Sequence, residues 1–217
     1  MKIPHLDPDF AKSRWRQWPK AFRTAAWLVA IVWLVFLISP LFNLAYYGNK
    51  PRTAEGLLGI LTMPFLHAGW SHLINNTLPL FLTTVALFGN YPKVAKRVLI
   101  SATLMTGILV WTFARGSNHI GASGLFYALL SYLFVSGFLK KDLQSMGISL
   151  IIAFLYGYMI WGIFPTEAGV SWESHLFGLL TGIFLAWNTR HIDRPKLKDW
   201  HLDDNLDDYF PEDDGGY

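Results

Sequence analysis

An all-α, polytopic membrane bundle of six transmembrane helices is the fold that this sequence predicts, and three observations carry the prediction. Charged residues are only 15% of the 217 and hydrophobic ones 53%, where soluble domains usually carry about 25% charge. Six apolar stretches stand out, at residues 24–46, 71–88, 94–114, 122–139, 146–164 and 174–187, each near the ~20 residues that cross a hydrocarbon core. Folded as core helices of a soluble protein, they would leave too few polar residues to cover that core. Third, the basic residues alternate from one flank of the spans to the other.

Taken in order, the chain opens with a basic arm, residues 1–23, that holds Lys2, Lys12, Arg14, Arg16, Lys20 and Arg23. The first apolar run lacks a small-residue cleavage site and reads as a span that stays in place, not a signal that is removed. Lys93, Lys96 and Arg97 lie in the loop between spans two and three and the first turn of the third, Lys140 and Lys141 between four and five, and Arg190, Arg194, Lys196 and Lys198 after the sixth. The remaining loops hold only Lys50, Arg52 and Arg115. Fifteen basic residues against three predict that both termini are cytoplasmic. The six-span core is expected over 24–188 and a cytoplasmic tail over 189–217, basic beside the membrane, then acidic and disordered. A prokaryotic plasma membrane is the expected location, because no long Arg/Ser-rich presequence precedes the first span.

The composition also excludes chemistry. There is no cysteine, hence no disulfide framework, thiolate catalysis or cysteine-based metal site. His67 and His72 are five apart, about 140° round a helix, and no His-Glu-x-x-His pattern is present, so neither metal nor other cofactor is expected. The basic residues flank spans and point to the lipid bilayer, not nucleic acid.

Polar residues inside spans are the informative positions, since such a group costs several kcal/mol unless it finds a partner or water. With this topology the second, fourth and sixth spans all enter from the outer face. His72 and Asn76, Ser123, and His175 then lie at one depth. His72 and Asn76 are four apart and share a helix face, as do Ser123 and Tyr127. Gly178 and Gly182 follow His175 on roughly its own face, where small residues let helix backbones approach. Each feature alone has a plainer reading: Gly-x-Ser-Gly as helix packing, a histidine at a span end as interfacial, Gly-xxx-Gly as an ordinary contact. Their conjunction has a use in peptide hydrolysis, which needs a nucleophile, a base and oxyanion donors. Ser123 could attack and His175 act as base, then acid. The free N–H groups at a helix start, with His72 and Asn76, could hold the oxyanion. Gly121 and Gly124 beside the serine would let a substrate backbone come near.

These residues resemble the rhomboid intramembrane serine proteases in three motifs. HAGWSHLINN (67–76) is similar to the family's His-x₄-His-x₃-Asn, GASGLFYALL (121–130) to its Gly-x-Ser-Gly with a following tyrosine, and SWESHLFGLLTG (171–182) to its His-x-x-Gly-x-x-x-Gly. The resemblance implies a Ser123–His175 dyad without an aspartate, Tyr127 packed on the imidazole, and an oxyanion hole from the Ser123 N–H, His72 and Asn76. It also implies close contact of spans four and six at Gly178, a structural or hydrogen-bonding role for His67, and membrane-protein substrates, single-pass or otherwise, whose helix unwinds near the outer face. Lateral entry past the fifth span would bring Tyr156, Trp161 and Phe164 to a gate beneath a cap formed by residues 165–171. Two departures stand out. Leu58 and Gly59 occupy the places of the family's first-loop Trp-Arg pair, so that loop must be anchored otherwise, and Ser174 replaces a frequent alanine. A catalytically inactive client-binding relative and a small transporter are the alternatives from other classes. The first is opposed by the presence of both Ser123 and His175, the second by the lack of inverted repeats.

Overall fold

Backbone N–H and C=O groups in hydrocarbon must pair within their own segment, so a chain this apolar folds as helices. The computed structural model describes residues 8–141, 143–155, 161–165, 169 and 171–194. All regular elements among them are helical. They are α1 (Pro8–Trp15), α2 (Trp18–Phe42), α3 (Gly59–Thr62), α4 (Trp70–Asn90), α5 (Ala95–Phe113), α6 (Ser123–Lys140), α7 (Leu143–Leu155) and α8 (Trp172–Asn188), with 3₁₀ turns at Leu44–Tyr47, Glu55–Leu57 and Met63–Phe65.

Three helical stretches, Lys12–Phe42, Ala95–Phe113 and Ser123–Lys140, are long and apolar enough to cross a membrane on their own. Glu55–Phe65 and Trp70–Asn90 qualify only as a pair bent by 68°, a broken or re-entrant span. The reason is chemical: α4 gives up apolar positions to His72, Asn75 and Asn76. The described part of α7 has 13 residues and α8 has 17, short for a span by length. Tyr156 of the expected fifth span, residues 166–168 and 170 of the expected cap, and the tail beyond residue 194 lie outside the described residues.

At the centre stands α6, which is apolar on every side and correspondingly buried: Phe126, Ala128, Leu129, Tyr132 and Leu133 are all inaccessible. Its main partner is α8. A Cβ on Gly178 would overlap the Gly124 carbonyl oxygen, and one on Gly182 would overlap that of Ala128. Only glycines allow the two backbones to touch there, and the Ser131 hydroxyl then reaches the Leu179 carbonyl at 3.0 Å. By contrast, α2 is peripheral. It leans on α4 through Ala21 and Ala25 against Val85 and leaves Trp27, Leu34, Leu37 and Leu41 exposed, a surface suited to lipid.

The loop between α2 and α4 is held without the Trp-Arg pair. Arg52 donates through Nη1 to the carbonyls of Thr112 (3.1 Å) and Ala114 (2.7 Å), which end α5. A cation there satisfies free carbonyls and complements the helix dipole. Trp111 answers by donating its indole N–H to the Thr53 carbonyl at 2.9 Å. Asn49 and His119 exchange backbone hydrogen bonds, both of 2.9 Å, which ties this loop to the one preceding α6.

At the other end of the bundle, basic residues are drawn inward. Arg14 is 4% exposed and donates to the Asn90 amide oxygen and to Ser145 Oγ. Thus α1 and the start of α2 lie within the segment expected as a basic arm. Lys140 Nζ sits 4.0 Å over the Tyr91 ring. Asp193 accepts the N–H groups of Lys93 (3.1 Å) and Val94 (3.2 Å), so a residue after α8 ties down the turn that leads into α5.

Candidate functional site

Two helix starts meet at one point. The first begins with Gly121, whose φ of +123° is a conformation L side chains rarely adopt. A Cβ there would also strike the His72 imidazole. Gly121 N–H bonds the Met63 carbonyl at 2.9 Å, and the Ala122 N–H donates to His67 Nε2 at 3.4 Å. With those two residues fixed, Ser123 opens α6 and is 7% exposed. The second helix, α8, brings His175 in its first turn, 8% exposed.

Between the two, His175 Nε2 lies 2.7 Å from Ser123 Oγ. His175 Nδ1 lies 2.8 Å from the Gly162 carbonyl oxygen. A carbonyl can only accept, so Nδ1 carries the proton and Nε2 offers its lone pair to the serine hydroxyl. This is the tautomer a general base needs, and a backbone carbonyl fixes it where serine hydrolases commonly use a carboxylate. A Cβ on Gly162 would fall 2.8 Å from His175 Nδ1 and 2.9 Å from the Tyr127 hydroxyl oxygen. The carbonyl can come this close because the residue is glycine. On the other side the Tyr127 ring stacks on the imidazole, with centroids 4.5 Å apart and planes at 15°.

His72 and Asn76 face the same space from α4. Both line a cavity of about 780 Å³ that also holds Ser123 and His175, with Asn75, Arg115, Asn118, His119 and Ser171 on its walls. The Asn76 amide donates to the His72 carbonyl at 2.8 Å, which leaves its second N–H for a ligand. Asn76 Oδ1 is buried without a hydrogen-bond partner. His67 is buried at 4% exposure, its ring 4.9 Å edge-on from that of His72. It stands behind the cavity wall. Among the expected gate residues, Trp161 and Phe164 are exposed and in tilted contact at 6.1 Å.

Several residues of this site escaped the sequence reading. Gly162 acts through its carbonyl, which no side-chain motif advertises. His119 is buried, and Glu173 is held against the same loop, as is Ser171, which was expected only as the end of the cap. Glu173 Oε1 is 3.4 Å from Arg115 Nε. The signal available was an acid directly inside SWESH and a histidine four residues ahead of Ser123.

A helical membrane bundle with a serine hydroxyl hydrogen-bonded to a base-ready imidazole in a polar cavity defines the class, a hydrolase-like integral membrane protein. Comparison with known proteins gives the family. Residues 54–192 match the rhomboid domain, and the chain belongs to the rhomboid family of intramembrane proteases. It is similar to uncharacterized proteins of Mycobacterium tuberculosis, at 34% identity over 79% of this chain and 76% of the relative, and of Mycobacterium leprae, at 33% over 83% and 76%. It is also similar to the Bacillus subtilis protein named "Putative rhomboid protease YdcA", at 30% identity over 74% of this chain and 83% of the relative. With bacterial homologues and a set of apolar helices, this is an integral membrane protein.

Proposed function

We propose that this chain is a serine endopeptidase that cleaves transmembrane segments of membrane proteins near the outer face, with Ser123 as nucleophile and His175 as general base. The observation that carries the reading is the 2.7 Å contact of Ser123 Oγ with His175 Nε2, whose tautomer the Gly162 carbonyl sets. Ser123 Oγ attacks the scissile carbonyl carbon while its proton passes to Nε2. The Ser123 N–H, the free Asn76 N–H and the His72 imidazole stabilise the resulting oxyanion. His175 returns the proton to the leaving nitrogen as the C–N bond breaks. Water, deprotonated by the same imidazole, then attacks the acyl carbon, and the imidazolium returns that proton to Ser123 Oγ as the ester C–O bond breaks. Tyr127 keeps the ring in plane throughout.

In this reading six spans, over 24–188, place both termini in the cytoplasm and the cavity at the periplasmic side of a prokaryotic plasma membrane. The arm over 1–23 and the tail over 189–217 are cytoplasmic. Substrates are single-pass or other transmembrane proteins, because a helix hides its carbonyls until it unwinds. Small or helix-breaking residues lower that cost. The test is to incubate purified protein with a single-pass test substrate in detergent and identify fragments by mass. Defined cleavage by wild type and none by Ser123→Ala is expected. Equal activity in Ser123→Ala would end the nucleophile assignment.

A further inference from the structure

The two segments that deliver Ser123 and His175 are cross-linked four residues upstream of each. His119 precedes Ser123 by four positions and Ser171 precedes His175 by four, and His119 Nδ1 lies 2.5 Å from Ser171 Oγ. The direction of this bond follows from the rest of the ring. His119 Nε2 is 3.0 Å from the Arg115 carbonyl oxygen, so Nε2 carries the proton and Nδ1 accepts from the Ser171 hydroxyl. Ser171 stands at the N-cap of α8, yet its hydroxyl makes no cap bond to that helix. It has been turned outward to the loop. Ser174, the residue before His175, lies 2.5 Å from Ser171 through its hydroxyl, and the Glu173–Arg115 contact joins the same turn to the same loop. His119 is itself clamped, since its backbone pairs with Asn49 in both directions and it is 1% exposed.

We propose that His119 is a positioning residue for this site: through its hydrogen bond to Ser171 it fixes the first turn of α8 against the loop before α6 and holds His175 at bonding distance from Ser123. The inference rests on the Ser123–His175 reading. Displacement of a catalytic group by ~1 Å can lower a rate about 10²-fold, so a brace one turn upstream acts on the chemical step through the position of His175. Asn at 119 can set an amide oxygen where Nδ1 stands and keep the acceptor; Ala cannot.

The experiment is labelling of Ser123 in the full-length purified protein by a fluorophosphonate, with the maximal labelling rate constant and the half-saturating probe concentration measured separately. The variants are His119→Ala, His119→Asn, Ser171→Ala and the double alanine variant. Rates are taken per labelled molecule, so a fraction that fails to fold changes the endpoint and not the rate. His119→Ala and Ser171→Ala are each expected to slow the maximal rate about 10- to 100-fold with the half-saturating concentration unchanged. The double variant should lose no more than either alone, and His119→Asn should recover most of the rate. Wild-type rates in both single alanine variants, or losses that multiply in the double, would overturn the inference while leaving the nucleophile reading intact. Failure of wild type to label at Ser123 would remove that reading and this inference together.

Discussion

At the scale of single residues, the same imidazole makes three contacts that divide its work. Its Nε2 accepts the Ser123 hydroxyl hydrogen, the Gly162 carbonyl fixes its proton on Nδ1, and the Tyr127 face limits its rotation. Asn76 is different, because its amide already bonds its own helix and has one N–H to spare. In the proposed mechanism that N–H is an oxyanion donor, and loss of one typically lowers turnover about 10²–10³-fold. Asn76→Ala should therefore lose kcat in that range with KM little changed, measured on a single-pass peptide. Gly178→Ala sets a methyl against the Gly124 carbonyl oxygen, backbone that cannot step aside. It should destabilise the bundle by about 1–3 kcal/mol, read as a lower Tm in detergent, and cut activity further by pushing α8 off α6.

At the scale of elements, the loops hold the helices in register. Asp193 closes the bundle at one end by accepting two N–H groups at the start of α5. Asp193→Ala should cost about 1–3 kcal/mol, as for hydrogen bonds to a charged group, again read as Tm, with little effect on the rate at Ser123. At the opposite end His119 carries a pH dependence. Burial is the chief cause that pushes its pKa below the usual 6.5, with the Arg115 guanidinium acting the same way, and the Arg115 carbonyl and Glu173 opposing. The unfolded chain then takes up a proton below pH 6.5 that the folded loop refuses. The stability from this group is present above pH 6.5 and is lost as pH falls from there through the folded value. His119→Asn should flatten the fall in Tm on acidification; an unchanged slope would show that His119 does not supply it.

At the scale of the whole molecule, the buried centre is α6; α8 packs along it with one face while Leu180, Phe184 and Trp187 stay exposed on the other. The bent pair that ends in α4 brings His67, at its break, against Ala122 and His72, in the first turn of α4, against Gly121, so the loop that starts α6 is fixed from behind. α5 receives the anchored loop of Arg52 and Trp111. Substitution of Arg52 by Met should loosen that loop without touching the cavity. The expected signs are faster proteolytic nicking between residues 44 and 58 and a lower Tm, with labelling at Ser123 retained.

Much of this was legible in the sequence because the relevant physics is local. Helix class follows from apolar composition in a solvent that cannot bond the backbone, and shared helix faces follow from spacing, as with Ser123 above Tyr127 and Gly178 below His175. Polar groups inside apolar runs had to be accounted for, and that singled out His72, Asn76 and His175. What only the tertiary structure decided are contacts between segments far apart in the chain. The Gly162 carbonyl on His175 leaves no trace in a motif, because every residue has a carbonyl and only packing brings one to bear. The His119–Ser171 brace likewise joins two loops 52 positions apart. The anchoring of the first long loop by Arg52 and Trp111, where a familiar pair was missing, depended on the end of α5 lying beside it. Composition and periodicity determine what each segment becomes; mutual burial, which depends on all segments at once, determines which atoms finally meet.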